Sequence, residues 1–183
     1  MPLEGEALVK ALRDGGYVIV MRHASSPREA PSKEKANPDN ARAERQLDEE
    51  GRATATAMGE AFRALKIPVD EVLTSPTYRA LETVKYAQFG LPHPIPELGD
   101  NGQSMQGGTE AQAVWLRNRV KLFPHLANTL IVTHAPNLMQ AFPKESAGVA
   151  DGEALIFGSD GKGGATLVAR VKIEDWPKLA ALR

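Results

Sequence analysis

The sequence predicts an α/β protein, a three-layer α/β/α sandwich around a mostly parallel mixed sheet. Buried strands alternate with amphipathic helices along most of the chain, and two of the strands end directly before a histidine. The chain closes with two strands around a glycine-rich turn. Alternating strands and helices produce a parallel sheet covered on both faces, whereas a terminal hairpin adds antiparallel strands.

The first half of the chain supplies two strands and three helices. Leucines and alanines at helical spacing predict a helix over 3–14, which Gly15 and Gly16 end. Large apolar residues over 17–21 indicate a buried strand. We predict a helix from Asp48, its N-cap, to about residue 66, then a strand over 70–74. The next helix runs to about residue 88, with Ser75 as cap and Pro76 in its first turn.

The second half repeats the pattern. We predict a helix over 109–123, a strand over 129–133 and a short helix over 136–142. Strands over 153–157 and 166–171 flank the glycine-rich turn. Two irregular segments interrupt this order, 25–46 and 90–108. The first is either a solvated loop or a functional lid, and its sequence favours neither.

Composition limits the classes of function. The chain has 183 residues, enough for one domain over 1–183, with 42% hydrophobic and 25% charged residues. Its net charge of -1 gives no reason to expect a nucleic acid partner. It contains no cysteine, so thiol chemistry is excluded, and no apolar run approaches the ~20 residues of a membrane span. The first residues lack the features of a signal peptide, so we expect a cytoplasmic protein, or a periplasmic or secreted one if a leader has been removed.

Basic residues concentrate where anions bind in α/β folds. Arg22 and His23 follow the first strand, and His134 follows the strand over 129–133. Parallel strands end at the same edge of a sheet, so we expect the two histidines to meet there. Arg45 and Arg79 each lie near the start of a helix, whose N–H groups favour anions. Arginine binds phosphate oxygens bidentately, and the pattern therefore predicts a phosphate site.

Four segments in order resemble the motifs of the histidine phosphatase (phosphoglycerate mutase-like) superfamily. Arg22-His23-Ala24 resembles its Arg-His-Gly signature, with alanine in the third place. Similar matches occur at 45–51, 73–83 and 131–137. The short chain resembles the small phosphatase branch more than the larger mutases. The added Cβ of Ala24 is expected to be tolerated.

This resemblance implies a mechanism. Neutral His23 is expected to attack phosphorus and become a phosphohistidine. Arg22, Arg79 and His134, with Arg45 as a further donor, are expected to bind the phosphate oxygens. No metal or other cofactor is expected, because the cationic side chains supply the charge. The leaving group needs a proton, and the resemblance places its donor in 90–108, where Glu97 is favoured and Asp100 is the alternative.

Two other functions stay open at this point. A phosphoglycerate mutase-type phosphotransferase would use the same pocket but return the phosphoryl group to a bound product. A non-catalytic module would only bind phosphorylated ligands and would need no proton donor. In each case the expected partner is a phosphorylated small molecule or a phosphoprotein. The sequence does not indicate an oligomeric state.

Overall fold

The computed structural model describes residues 2–100 and 108–182. Its helices are α1 to α6 in chain order: Gly5–Asp14, Glu49–Leu65, Tyr78–Ala87, Gly108–Arg119, Ala135–Ala141 and Asp175–Ala180. Its strands are β1 to β6: Val18–Arg22, Val69–Thr74, His93–Pro94, Asn128–Thr133, Ala154–Ser159 and Ala165–Val171. No helix in the described ranges is long and apolar enough to cross a bilayer.

The sheet has six strands in the order β3-β2-β4-β1-β5-β6. Strand β1 pairs in parallel with β4, and β4 and β3 both pair in parallel with β2. The terminal strands β5 and β6 run antiparallel at the other edge. The predicted mixed, mostly parallel sheet is therefore confirmed. In this register Arg22, the last residue of β1, lies opposite Thr133, the last residue of β4. The residues that follow the two strands are therefore neighbours at the same edge of the sheet.

Helices cover both faces, which confirms the three layers. Side chains alternate along β1, with Ile19 and Met21 in the core under α1, α2, α3 and α6. Val18 and Val20 point the other way, into the core under α4 and α5. Each core is a set of fully buried apolar side chains, and their burial is the main favourable term in folding.

Helix ends and short elements differ in detail from the prediction. Asp48 caps α2 as predicted, because its carboxylate accepts the N–H of Gly51 at 2.7 Å. Helix α3 begins later than predicted, at Tyr78, and Thr77 rather than Ser75 is its N-cap residue. The two-residue strand β3 and the helix α6 have too little periodicity to be predicted from the sequence.

Segment 25–46 has no helix or strand, yet it is internally bonded. Buried Asn40 donates to the carbonyl of Glu44 at 2.8 Å and to Oε1 of Gln46 at 3.1 Å. Ser26 donates to the carbonyl of Gln46 at 2.8 Å. These bonds bring the two ends of the segment together beside the carboxyl end of the sheet.

Helices α2 and α3 approach each other closely at Gly59. A Cβ built on Gly59 lies 1.9 Å from the carbonyl oxygen of Ala87, so no side chain fits without moving the helices apart. This contact sets the position of α3, which carries Arg79.

Gly59→Ala is therefore expected to lower the free energy of unfolding, although alanine favours helices by about 1 kcal/mol over glycine. Overpacking costs roughly 1–3 kcal/mol. Urea denaturation measures the change, with Glu60→Ala on the exposed side of the same turn as control. A Gly59→Ala protein as stable as the control would contradict the close contact.

Candidate active site

Strand ends bring the two histidines together. The N–H of His23 donates to the carbonyl of Thr133 at 3.0 Å, which continues the pairing of β1 with β4 beyond the strands. The rings of His23 and His134 pack edge to face with centroids 5.3 Å apart. Both side chains are buried. The structure therefore brings the two histidines together at the edge of the sheet, as expected from the sequence.

Arg79 lies between the two rings. Its Nε donates to Nε2 of His23 at 3.2 Å, and its Nη2 donates to Nδ1 of His134 at 3.3 Å. Arg79 is the second residue of α3 and is only 4% exposed. One guanidinium therefore holds both histidines through its rigid fork of donors.

These contacts determine the tautomer of each histidine. A guanidinium can only donate, so the accepting nitrogens, Nε2 of His23 and Nδ1 of His134, both carry lone pairs. Nδ1 of His23 is 2.7 Å from the carbonyl oxygen of Ala24, which can only accept, so Nδ1 carries the proton. His23 thus has an unprotonated Nε2 facing Arg79, in the tautomer that a nucleophile requires.

The other nitrogen of His134 is held by hydroxyl groups. Its Nε2 lies 2.8 Å from Oγ of Ser75 and 3.4 Å from Oγ1 of Thr77. Because Nδ1 accepts from Arg79, Nε2 is the protonated nitrogen and donates to Ser75. Sequence reasoning assigned Ser75 to a helix cap and missed this contact, since a serine before a helix has no signal that separates the two roles.

Burial and nearby cations keep both rings neutral. Burial, followed by the charges of Arg79, Arg22 and Arg45, lowers the pKa of His23 from 6.5 to about 4, and the bond to Ala24 opposes this only in part. Burial, the neighbouring His23 and the same arginines lower the pKa of His134 to about 2. At neutral pH the positive charge of the site is therefore carried by its arginines.

Arg22 is directed by the turn that precedes β5. Its Nη1 donates to the carbonyl of Val149 at 3.0 Å, and its Nη2 pairs with Asp151 at 3.0 Å. The Nε of Arg22 is buried and has no hydrogen-bond partner within 2–100 or 108–182. No pattern in the sequence pointed to Asp151, because it lies in an irregular turn 129 positions from Arg22.

Arg45 approaches the site from segment 25–46. Its Nε donates to the carbonyl of Pro27 at 2.7 Å, and its Nη2 to that of Ser26 at 3.3 Å. Burial, the positive charge of Arg79 and that of Arg22 lower the pKa of Arg45. Arg45 thus lies within electrostatic range of the two other arginines.

The two candidate acids differ in position. Asp100 accepts from Nη2 of Arg79 at 2.6 Å, and its side chain is 32% exposed. The preceding carbonyl, of Gly99, accepts from Gln112 at 2.9 Å and from Asn137 at 3.1 Å, which anchors the backbone before Asp100. Glu97 lies in a short 3-10 helix over Pro96–Leu98 and is half-buried, without an ion pair to any described residue. Residues 101–107 of the predicted irregular segment lie outside the described residues.

Alanine fits the third place of the Arg-His-Ala motif. Only four non-glycine residues in the described ranges have positive φ, and Ala24 is not among them. Its N–H donates to Oγ1 of Thr83 on α3 at 3.1 Å, and the residue is fully buried. The backbone there needs no glycine.

Within 2–100 and 108–182, the protein has no group of three or more histidine, aspartate or glutamate side chains that could hold a metal.

Several solved structures share the fold. The protein histidine phosphatase SixA complexed with tungstate is 18% identical, with a TM-score of 0.59 over 87% of this chain and 98% of that chain. Phosphoserine phosphatase from Entamoeba histolytica, complexed with phosphoserine, is 12% identical, with a TM-score of 0.58 over 86% and 98%. The mycobacterial glucosyl-3-phosphoglycerate phosphatase is 12% identical, with a TM-score of 0.56 over 83% and 96%. No curated protein matches the sequence significantly.

A sequence model of the histidine phosphatase superfamily (branch 1) matches residues 18–100. The match begins with β1 and ends at Asp100, so it includes Arg22, His23, Arg45 and Arg79. His134 lies beyond the match and reaches the site through the pairing of β4 with β1. Residues 18–100 are therefore similar to the histidine phosphatase superfamily (branch 1), and the whole fold is shared with the solved structures.

Proposed function

We propose that the protein hydrolyses phosphomonoesters through a phosphohistidine formed on Nε2 of His23, without a metal. The observation that carries this proposal is the contact of the buried Arg79 with both histidines. Nε2 of His23 is unprotonated and accepts from Arg79, and attack on phosphorus requires that Arg79 transfer this hydrogen bond to a phosphate oxygen. A nucleophile and a cation in this arrangement are what in-line attack on a phosphoryl group requires.

In the first step, Nε2 of His23 bonds to phosphorus while the bond from phosphorus to the leaving oxygen breaks. Arg22, Arg79 and Arg45 stabilise the negative charge on the remaining oxygens. His134 has its N–H on Ser75, so we propose that a bound phosphate dianion favours the imidazolium: Nδ1 takes a second proton from solvent, and Nη2 of Arg79 moves from Nδ1 to a phosphate oxygen. His134 then donates to a phosphate oxygen.

Asp100 is our proposed donor of a proton to the leaving oxygen, in preference to Glu97. Its contact with Arg79, which also contacts both histidines, brings a carboxyl to the site. In the second step water attacks the phosphohistidine, with Asp100 now accepting the proton of that water. A carboxyl so near the nucleophile supports an enzyme over a module that only binds.

The nature of the substrate follows from the charge of the site. Three arginines against the carboxylates of Asp100 and Asp151 favour a phosphate dianion. The solved structures with this fold are named for a phosphohistidine protein, phosphoserine and glucosyl-3-phosphoglycerate. We therefore propose p-nitrophenyl phosphate, phosphoserine and a phosphohistidine protein as the first substrates to assay.

His23→Ala is expected to reduce kcat with p-nitrophenyl phosphate by roughly a thousandfold or more, because it removes the nucleophile. The assay contains EDTA, and the control is His125→Ala, which alters an exposed histidine far along the chain. With ³²P-labelled substrate, wild-type protein acquires an acid-labile label and the His23→Ala protein does not. Turnover by His23→Ala, or loss of wild-type activity in EDTA, contradicts the mechanism. Return of the label to a product hydroxyl indicates a mutase.

Asp100→Asn is expected to slow the hydrolysis of alkyl phosphates more than the hydrolysis of p-nitrophenyl phosphate. The leaving group of an alkyl phosphate needs a proton, whereas p-nitrophenolate does not. A difference of about tenfold or more in kcat/KM between the two substrates marks the loss of general acid catalysis. Glu97→Gln is the matched control and should affect both equally and little. Equal losses in Asp100→Asn, or a selective loss in Glu97→Gln, overturn the assignment.

The ring of His23 is expected to titrate with a midpoint near 4 in the folded protein, because burial and three arginines disfavour its charged form. Histidine NMR signals followed against pH measure this, and the urea-unfolded protein, in which histidines titrate near 6.5, is the reference. Since the folded state binds this proton more weakly, stability should fall as pH drops from 6.5 toward 4. A folded midpoint near 6.5 is incompatible with a neutral, lone-pair-bearing nucleophile held by Arg79.

A further inference from the structure

Glu82 on α3 carries a carboxylate that is almost fully enclosed. Its residue is 2% exposed, and no lysine or arginine in the described ranges forms a salt bridge with it. Burial raises the pKa of Glu82, while the N–H of Leu47 and the charge of Arg52 oppose this. Burying a carboxylate without a counter-ion costs free energy of folding, and each hydrogen bond that the carboxylate accepts offsets part of this cost.

The two oxygens of Glu82 accept hydrogen bonds from segment 25–46 and from the residue that follows it. Oε1 accepts the backbone N–H of Leu47 at 2.7 Å, and Oε2 accepts Nδ2 of Asn37 at 3.0 Å. Asn37 in turn binds Gln46, whose Oε1 accepts the N–H of Asn37 at 3.0 Å. The carboxylate thus joins positions 37 and 47, which flank the part of the segment that contains Arg45.

The adjacent turn of α3 faces the reacting groups. Arg79, which contacts both histidines, lies three residues before Glu82, and Thr83, which binds the N–H of Ala24, lies one residue after it. Glu44 also accepts the N–H of Tyr78 at the start of this turn, at 3.2 Å. A single helical turn therefore positions the nucleophile on one side and segment 37–47 on the other.

We propose that Glu82 is a positioning residue, which holds segment 37–47 against α3 and thereby keeps Arg45 directed at the phosphate pocket. The proposal rests on the proposed function insofar as Arg45 binds a phosphoryl group. A charged acceptor suits this task because hydrogen bonds to a carboxylate are stronger than those to a neutral oxygen. Glu82 itself does not touch the reacting atoms.

The test is a double-mutant cycle between Glu82→Ala and Arg45→Ala, with orthovanadate, an analogue of the phosphoryl group, as the ligand. Arg45→Ala is expected to raise the dissociation constant of vanadate about tenfold, as the loss of a charged hydrogen bond does. Glu82→Ala should raise it by a similar factor, and the double variant should be no weaker than either single variant. Glu82→Gln retains an oxygen for Leu47 and should stay within about threefold of wild type.

Hydrogen–deuterium exchange provides a readout that a purely structural role does not move. Amides in 37–47 should exchange faster in Glu82→Ala, while those in β1 and β4 remain protected. The matched control is Val84→Ala, which removes a buried apolar group from the same helix and destabilises the core without touching the segment. If Glu82→Ala fails to fold, Asn37→Ala breaks the same link from the half-buried loop side and should give the same exchange pattern.

The proposal would be overturned by additive effects of the two substitutions on vanadate binding or by unchanged amide exchange in 37–47. It would also be overturned if Val84→Ala changed the exchange of this segment as much as Glu82→Ala does. Wild-type protein that does not bind vanadate would overturn it as well. If the wild-type protein binds vanadate but hydrolyses no phosphomonoester, the proposed phosphatase activity is wrong. The proposal about Glu82 is still tested in that case, because neither the cycle nor the exchange measurement depends on turnover.

Discussion

The contact of one buried guanidinium with two neutral histidines is the interaction on which the site depends. Arg79 cannot accept a hydrogen bond, so the nitrogens to which it donates, Nε2 of His23 and Nδ1 of His134, are unprotonated. The two strands place the rings, and the carbonyl of Ala24 holds the proton of His23 on Nδ1 in agreement with this donation. The start of α3 is in turn held by its close packing on α2 at Gly59. A packing constraint away from the two histidines thus helps to position the guanidinium that contacts them both.

The same arrangement leaves the pocket short of negative charge. Asp100 pairs with Arg79, and Asp151 pairs with Arg22, while the buried Nε of Arg22 has no partner in the part of the chain that the structure describes. The histidines cannot relieve the excess, because burial and the arginines keep them neutral. A phosphate dianion would satisfy both the orphan donor and the unbalanced charge. Under the proposed function, binding of the phosphoryl group is favoured by electrostatics that the protein establishes before any substrate arrives.

The sequence predicts the part of this site that periodicity determines. The strands β1 and β4 are apolar runs of distinct length, and parallel pairing requires His23 and His134 to meet at their ends. The side chains around them follow no such rule. Ser75 binds His134 instead of capping a helix, and Asp151 reaches Arg22 from an irregular turn. The choice between Glu97 and Asp100 depends on the path of the loop that carries them. The residues next to them in the sequence do not reveal this path.

Segment 25–46 shows why a polar, unpatterned stretch is hard to interpret from its sequence. Its charges suggest a solvated loop, yet Asn40 and Gln46 bond within it and Glu82 bonds to it from α3. Such bonds prepare one wall of the pocket in advance, so a ligand need not lose binding energy by ordering it. Under the proposed function, Arg45 is the phosphate-binding residue that this segment contributes, and the strand ends and α3 contribute the others. We therefore expect changes within 25–46 to alter the recognition of the leaving group without disturbing His23, because one turn of α3 joins the two parts of the proposed site.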